Sequence, residues 1–231
     1  MRHCFAILIA AALAACAPMA QKVDSGNKTV GERLVLKPDS AWNELTGEPP
    51  AHVWTQEGVP IDRLLIYSGV KDGEAIHPTA SGSTAKSFVF RSTMQGDEIA
   101  ALFEGMLTRD QSTFTLVKLE PAAFGGGKGV RFEYELIRKA DSVPLAGLGY
   151  AVVDGGQLFA LVYNAPRLAF FPRHAAKVEH LAQSARIAPL SPAAAAAAVA
   201  RSNAAAKNSE AGRGPPCGTV MECQARGITK P

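Results

Sequence analysis

The sequence predicts an α+β domain: an antiparallel β-sheet packed by two main helices, set between a flexible N-terminal tether and an Ala-rich C-terminal tail. Three observations predict it. Between residues 113 and 163, short runs of threonine, branched and aromatic residues succeed one another across glycine-bearing turns, the pattern of consecutive antiparallel strands. Two further stretches carry apolar residues at helical spacing. From Ser191 the composition changes abruptly to alanine, then to glycine and proline, with little to dock on a core.

The chain opens on a secretion address. Arg2 and His3 precede an apolar run from Phe5 to Leu13, which closes on Leu13, Ala14, Ala15 and Cys16. A charged start, a short apolar middle and small residues at the cut are what an export signal needs, and the run is too short to cross a bilayer. Leu13, Ala14, Ala15 and Cys16 resemble the lipobox of bacterial lipoproteins. The resemblance implies cleavage before Cys16, lipidation of its thiol by a diacylglyceryl group and acylation of the new amino terminus. Each buried methylene contributes about 0.8 kcal/mol, so two or more chains hold a protein on a membrane almost permanently. In the better-known lipoproteins an aspartate after the cysteine favours inner-membrane retention. Ala17 stands there, which implies the outer membrane, facing the periplasm.

Residues 16–31 are small and polar and read as the tether. Strand signals begin with the short apolar-rich run at residues 33–37, and a turn at Gly58 separates His52, Val53 and Trp54 from residues 61–67 as a hairpin does. Phe88, Val89 and Phe90 read as a further short strand. Ile99, Leu102, Phe103 and Met106 then recur at i, i+3, i+4 and i+7, with Asp97 and Glu98 ahead and Arg109 behind, which predicts a helix over 95–108. Strands are expected at 113–119, 130–136, 148–153 and 158–163, the last two joined by Asp154, Gly155 and Gly156. A second helix is expected over 172–186, with Val178, Leu181, Ala182 and Ala185 on one face. The domain organisation is therefore a signal peptide at 1–15, a lipidated tether at 16–31, an α+β domain at 32–188 and a low-complexity tail at 189–231.

The formal net charge of +3 over 231 residues comes from the leader and tail, and the central part is close to neutral. No dense basic face is present, which excludes a nucleic-acid binder. With Cys4 in the leader and Cys16 acylated, Cys217 and Cys223 remain, and in an oxidising compartment they are a disulfide candidate. A metal site and a redox-active dithiol are the alternatives, although the pair lacks a nearby histidine and the two-residue spacing of those motifs. The residues predict no metal and no cofactor.

Residues 30–188 look like a group of proteobacterial envelope lipoproteins. Trp54 and Thr55 followed by Ile61, Asp62, Arg63 and Leu64 carry the likeness, with Phe124 to Gly127 leading into Val130, and Leu158 to Pro166 ahead of Val178 and Glu179. More distantly, two helices on an antiparallel sheet of this order are similar to the PsbP/DcrB-like fold. The resemblance implies an accessory or assembly role and supplies no catalytic residues.

The candidate chemistry is sparse. His52, His77, His174 and His180 are the histidines left after the leader; His174 and His180 lie six apart on the second helix and share no face. Each reads as a surface or half-buried side chain. Gly125 to Gly129 fails as a phosphate loop because Lys128 is followed by Gly129 and a strand, so a hairpin or bulge is expected. Gly147 and Gly149 read as a closely packed strand, and Trp42, Trp54, Phe170 and Phe171 as packing rather than an exposed patch. The reading is a membrane-anchored, non-catalytic binding or envelope-assembly protein with an envelope protein as partner. An envelope hydrolase is the alternative, and it requires two of Asp62, Glu133, Glu135 and Asp154 to converge with a histidine.

Overall fold

In the computed structural model of the chain, residues 20–46, 49–77 and 87–190 are described. The lipobox residues Leu13, Ala14, Ala15 and Cys16, and the pair Cys217 and Cys223, lie outside them. The described residues form an α+β fold of one eight-stranded antiparallel sheet, one three-stranded sheet and two helices.

The strands are β1 (Ala20–Val23), β2 (Lys28–Val30), β3 (Leu34–Leu36), β4 (Trp42–Leu45), β5 (Ala51–Thr55), β6 (Arg63–Lys71), β7 (Thr113–Phe124), β8 (Gly127–Ile137), β9 (Pro144–Asp154), β10 (Gln157–Pro166) and β11 (Arg186–Ile187). The helices are α1 (Gly96–Leu107), between β6 and β7, and α2 (Phe170–Ser184), between β10 and β11. The large sheet runs β1-β4-β5-β6-β10-β9-β8-β7 and the small one β11-β3-β2. The four strands from β7 to β10 pair in sequence order, as their short turns require, and β10 then pairs with β6 to join the two halves.

Strand β10 explains why the domain has two cores. Its side chains alternate between them: Leu158, Ala160 and Val162 enter the cluster under α1, and Phe159, Leu161 and Tyr163 the cluster under α2 and the small sheet. All six are fully buried. A strand covered on both faces reads as a continuous apolar run, and Leu158 to Tyr163 is one. α1 lays Ile99, Leu102, Phe103 and Met106 on the first cluster, as its spacing predicts. The Glu98 carboxylate accepts the Gln95 backbone N–H at 2.7 Å and so caps its start. α2 begins at Phe170 and ends at Ser184, two residues earlier at each end than expected, and buries Val178, Leu181 and Ala182.

Several expectations change. Residues 16–31 do not all serve as a tether: Ala20–Val23 and Lys28–Val30 are strands β1 and β2, with Val23 and Val30 each 2 % exposed. These strands are too short and too polar for a period of two to show. Phe88, Val89 and Phe90 do not form a strand; Val89 makes a single antiparallel bridge to Ala75 while Phe88 and Phe90 fill the first core. β4, unseen in the sequence pattern, pairs β1 with β5.

The glycines of β9 are steric. A Cβ at Gly147 would lie 2.0 Å from the Tyr134 ring and one at Gly149 2.1 Å from the Phe132 ring. Those rings stack on one another at 6.0 Å, and Phe132 stacks on Phe103 of α1 at 5.9 Å. Gly125 and Gly126, by contrast, turn the β7–β8 hairpin with φ of 64° and 91°. Gly149→Ala should therefore lower unfolding stability by about 1–3 kcal/mol through overpacking, read from urea midpoints. An unchanged midpoint would show that Phe132 has room to move and contradict the packing.

Candidate functional site

The densest polar cluster lies where the β5–β6 loop meets the start of α2. Asp62, 1 % exposed, organises the loop. Its carboxylate accepts the Thr55 hydroxyl at 2.5 Å and the backbone N–H groups of Gln56 and Glu57 at 2.9 and 2.7 Å. The Thr55 hydroxyl in turn accepts the Gly58 N–H at 2.8 Å. A buried carboxylate is costly unless its lone pairs are filled, and here backbone donors and a hydroxyl fill them.

The loop shaped by Asp62 offers two side chains to α2. His174 Nε2 lies 2.8 Å from Glu57 Oε1, and Arg173 donates to the same oxygen at 3.1 Å. Lys177 donates to Gln56 Oε1 at 3.0 Å. α2 has no acidic residue in its first turn, so Glu57 supplies from the loop the negative charge that a helix start favours. The His174 hydrogen bond, with Arg173 second, holds the Glu57 carboxyl below its usual value of 4.5, against a smaller opposing effect of burial. Deeper in the same core, Tyr163 packs its ring on Phe171 at 6.0 Å, and burial pushes its hydroxyl well above the usual phenol range.

This arrangement clamps; it is poorly built for proton transfer. His174 is 3 % exposed, its Nε2 is taken by Glu57, and its Nδ1 is buried without a hydrogen-bond partner. A general base needs a ring nitrogen that can reach a substrate proton, and neither nitrogen is free to do so. The buried position corrects the expectation that His174 is a surface or half-buried side chain. Its apolar neighbours on α2, Val178 and Leu181, share the buried face one and two turns on, a signal the sequence held.

The other candidate acids do not converge. Glu133 accepts Arg131 at 2.5 Å, Glu135 accepts Arg167 at 2.9 Å, and Asp154 pairs with the buried Arg33. Arg131 also reaches Glu179 of α2 at 2.7 Å and Glu120 at 3.1 Å, so it ties three elements together. His52 lies 3.1 Å from Glu44 and His180 4.0 Å from Asp39, so each has a carboxylate neighbour other than the four candidate acids. Among the described residues, no three His, Cys, Asp or Glu side chains come together as metal ligands do. Trp42 and Trp54 are 1 % and 0 % exposed and meet at 6.3 Å, core residues as expected. Phe170 and Phe171 pack partly against the same core.

A cleft of about 200 Å³ opens at the junction of the two sheets, between Gly31, Ser68, Gly69, Lys71, Glu74 and Gln157. Its wall includes Arg33, whose guanidinium is spent on Ala188 O at 2.7 Å, Gln157 Oε1 at 2.7 Å and the Phe159 ring at 5.1 Å. The cleft holds no histidine and is not a continuous apolar groove.

No protein-family model matches the chain, and no curated protein matches it. Solved structures do resemble it. The solution structure of cyanobacterial PsbP (CyanoP) from Synechocystis has 10 % identity and a TM-score of 0.47, over 75 % of this chain and 95 % of that one. A Pseudomonas aeruginosa protein of unknown function has 15 % identity and a TM-score of 0.36, over 74 % and 98 %. LpqN of Mycobacterium tuberculosis, described as involved in cell envelope biogenesis, has 16 % identity and a TM-score of 0.39, over 78 % and 97 %. A PsbP protein thus stands among the structures similar to the chain, but at these identities and scores none bears on what the chain does.

A carboxyl whose folded pKa is depressed contributes its stability in full above its unfolded pKa and loses it as pH falls through the folded value. Glu57→Gln should therefore destabilise the domain at neutral pH and make its stability fall less steeply between about pH 5 and pH 2. Urea midpoints across that range measure it. Parallel pH profiles for the two proteins would remove Glu57 from the clamp.

Proposed function

We propose that the chain is a lipid-anchored envelope protein that acts by binding and without catalysis. In this reading residues 1–15 are the leader and Cys16 is the acylated first residue, on the outer membrane facing the periplasm. Residues 189–231 are a tail that Cys217 and Cys223 close into a small disulfide loop. The partner is an envelope protein, and nucleic acid is not bound.

The observation that carries the non-catalytic part is the fate of the charged side chains. Asp62 is locked to backbone N–H groups, while Glu133, Glu135 and Asp154 each go to a different arginine, Arg131, Arg167 and Arg33. An acid–base site keeps its groups free to reach one reacting atom, and these four are spent on structural partners, none of them a histidine. What they build is a stiff body with docked loops. A stiff body on a lipid anchor is suited to presenting a surface at the membrane.

Comparing intact mass and membrane fractionation of the native protein with Cys16→Ser tests the anchor. Native material should carry a lipid-sized mass gain and sediment with membranes, and the variant should lose both. Unlipidated, soluble wild-type protein would overturn the reading.

A further inference from the structure

A β-bulge shapes the cleft at the junction of the two sheets. β6 and β10 slip register between Leu158 and Phe159: Ser68 stands opposite Phe159 and Val70 opposite Leu158, so Gly69 is the extra residue, at a φ of 123°. Ile66 belongs to the core under α2 and the small sheet, and Val70 to the core under α1. Alternation on either side of the bulge therefore sends Ser68 and Lys71 to the same face, toward the small sheet. Without the extra residue these two, three apart, would point to opposite faces. Gln157, opposite Lys71 in the ladder, shares that face with Phe159. Gly31 and Glu32, in the turn between β2 and β3, line the same cleft. Gly31 has a φ of 62°, and a Cβ there would lie 2.3 Å from the Ser68 hydroxyl oxygen, so glycine is what lets the turn sit this close.

Some of the lining groups are used by the fold and others are not. Arg33 is held by Ala188 O, Gln157, Asp154 and the Phe159 ring. Gln157 also donates to Gly69 O at 3.4 Å, and Glu74 accepts the Lys71 backbone N–H at 2.9 Å. These contacts fix the walls. The Lys71 ammonium, the Ser68 hydroxyl and the Glu32 carboxylate have no hydrogen-bond or ion-pair partner among the described residues. The charged residues of the lining are Glu32, Glu74, Lys71 and Arg33, and Arg33 is paired with Asp154. Asp72, which accepts the Ser92 N–H, and Arg91, beside Gly73, belong to the turn after β6 and do not line the cleft. Lys71 is thus outnumbered by two carboxylates, a balance that disfavours a simple anion as ligand. Among the described residues no third ligand joins them to hold a metal ion. At about 200 Å³ the cleft is smaller than the sites of about 300–1,000 Å³ that take drug-sized molecules.

We propose that this cleft binds a small zwitterion, an α-amino acid, with Lys71 and Ser68 on its carboxylate and Glu32 on its ammonium group. An ammonium and a hydroxyl donate to a carboxylate, and a carboxylate accepts from an ammonium, so the three unused groups match both ends of such a molecule. Glu74 adds a second negative charge in favour of the ligand's cation. The proposal goes beyond the protein-binding role above and needs neither that partner nor the anchor.

Amide NMR of the isotope-labelled, full-length chain tests it, with L-alanine as ligand and L-leucine in a second series. The Gly31, Glu32, Ser68, Lys71 and Gln157 signals should move saturably at millimolar ligand. N-acetylalanine, which lacks the cation, and alaninamide, which lacks the carboxylate, should bind about tenfold or more weakly than alanine. Lys71→Ala and Glu32→Ala, both at exposed positions, should each weaken binding by a similar factor and leave the β7 to β10 signals in place. The absence of saturable shifts with either amino acid up to about 50 mM would overturn the site. So would equal binding of alanine and its two blocked forms, or binding indifferent to both substitutions. Failure here leaves the anchored, protein-binding reading standing, because neither the anchor nor the protein partner enters the titration.

Discussion

Burial of β10 on both faces is the constraint from which the rest of the structure follows. Six successive side chains from Leu158 to Tyr163 are removed from water, and they point alternately into two separate cores. Each face must therefore be roofed, and the chain supplies two different roofs. α1 with the Phe88 region closes one side, and α2 with the small sheet closes the other. Large-to-small changes at such positions cost about 2–5 kcal/mol because the surroundings collapse only partly. The glycines at 147 and 149 belong to the same logic: they give up side chains on β9 so that Tyr134 and Phe132 can lie flat under α1.

That arrangement explains what could be read in advance. The β7 to β10 meander and both helices were legible because each is long enough for its period to repeat, and because Gly125, Gly126, Gly155 and Gly156 mark the turns with positive φ. The first quarter of the domain was legible only in part: residues 33–37 and 52–54 fall on β3 and β5. β1, β2 and β4 are three or four residues each, and strands of that length carry little period to read. Phe88 to Phe90 misled for the opposite reason: their apolar character serves core filling, with only one bridge of sheet pairing.

The polar cluster shows a similar division. Asp62 and Thr55 shape their own loop, and turn-rich Gly58 and Pro60 advertise it locally. Glu57 gave no such sign, because its partners Arg173 and His174 lie more than a hundred residues away in sequence. Only β10, pairing with β6 and delivering the chain into α2, brings them together. The ion pairs of Arg33 and Arg131 are long-range in the same way and link the small sheet and α2 to the large sheet. Much of the charge among the described residues is thus structural.

Among the described residues the fold already includes Ala20, so part of the segment expected to be a tether belongs to the sheet. Native-state hydrogen exchange on the full-length protein tests this most directly, because it reads which backbone groups are inside the cooperative fold. β10 and β6 amides should exchange only through global unfolding, and the paired amides of β1 and β2 should show protection well above that of an unstructured chain. Exchange of residues 20–30 at unfolded-chain rates, with β10 still protected, would restore a long free tether and contradict the account.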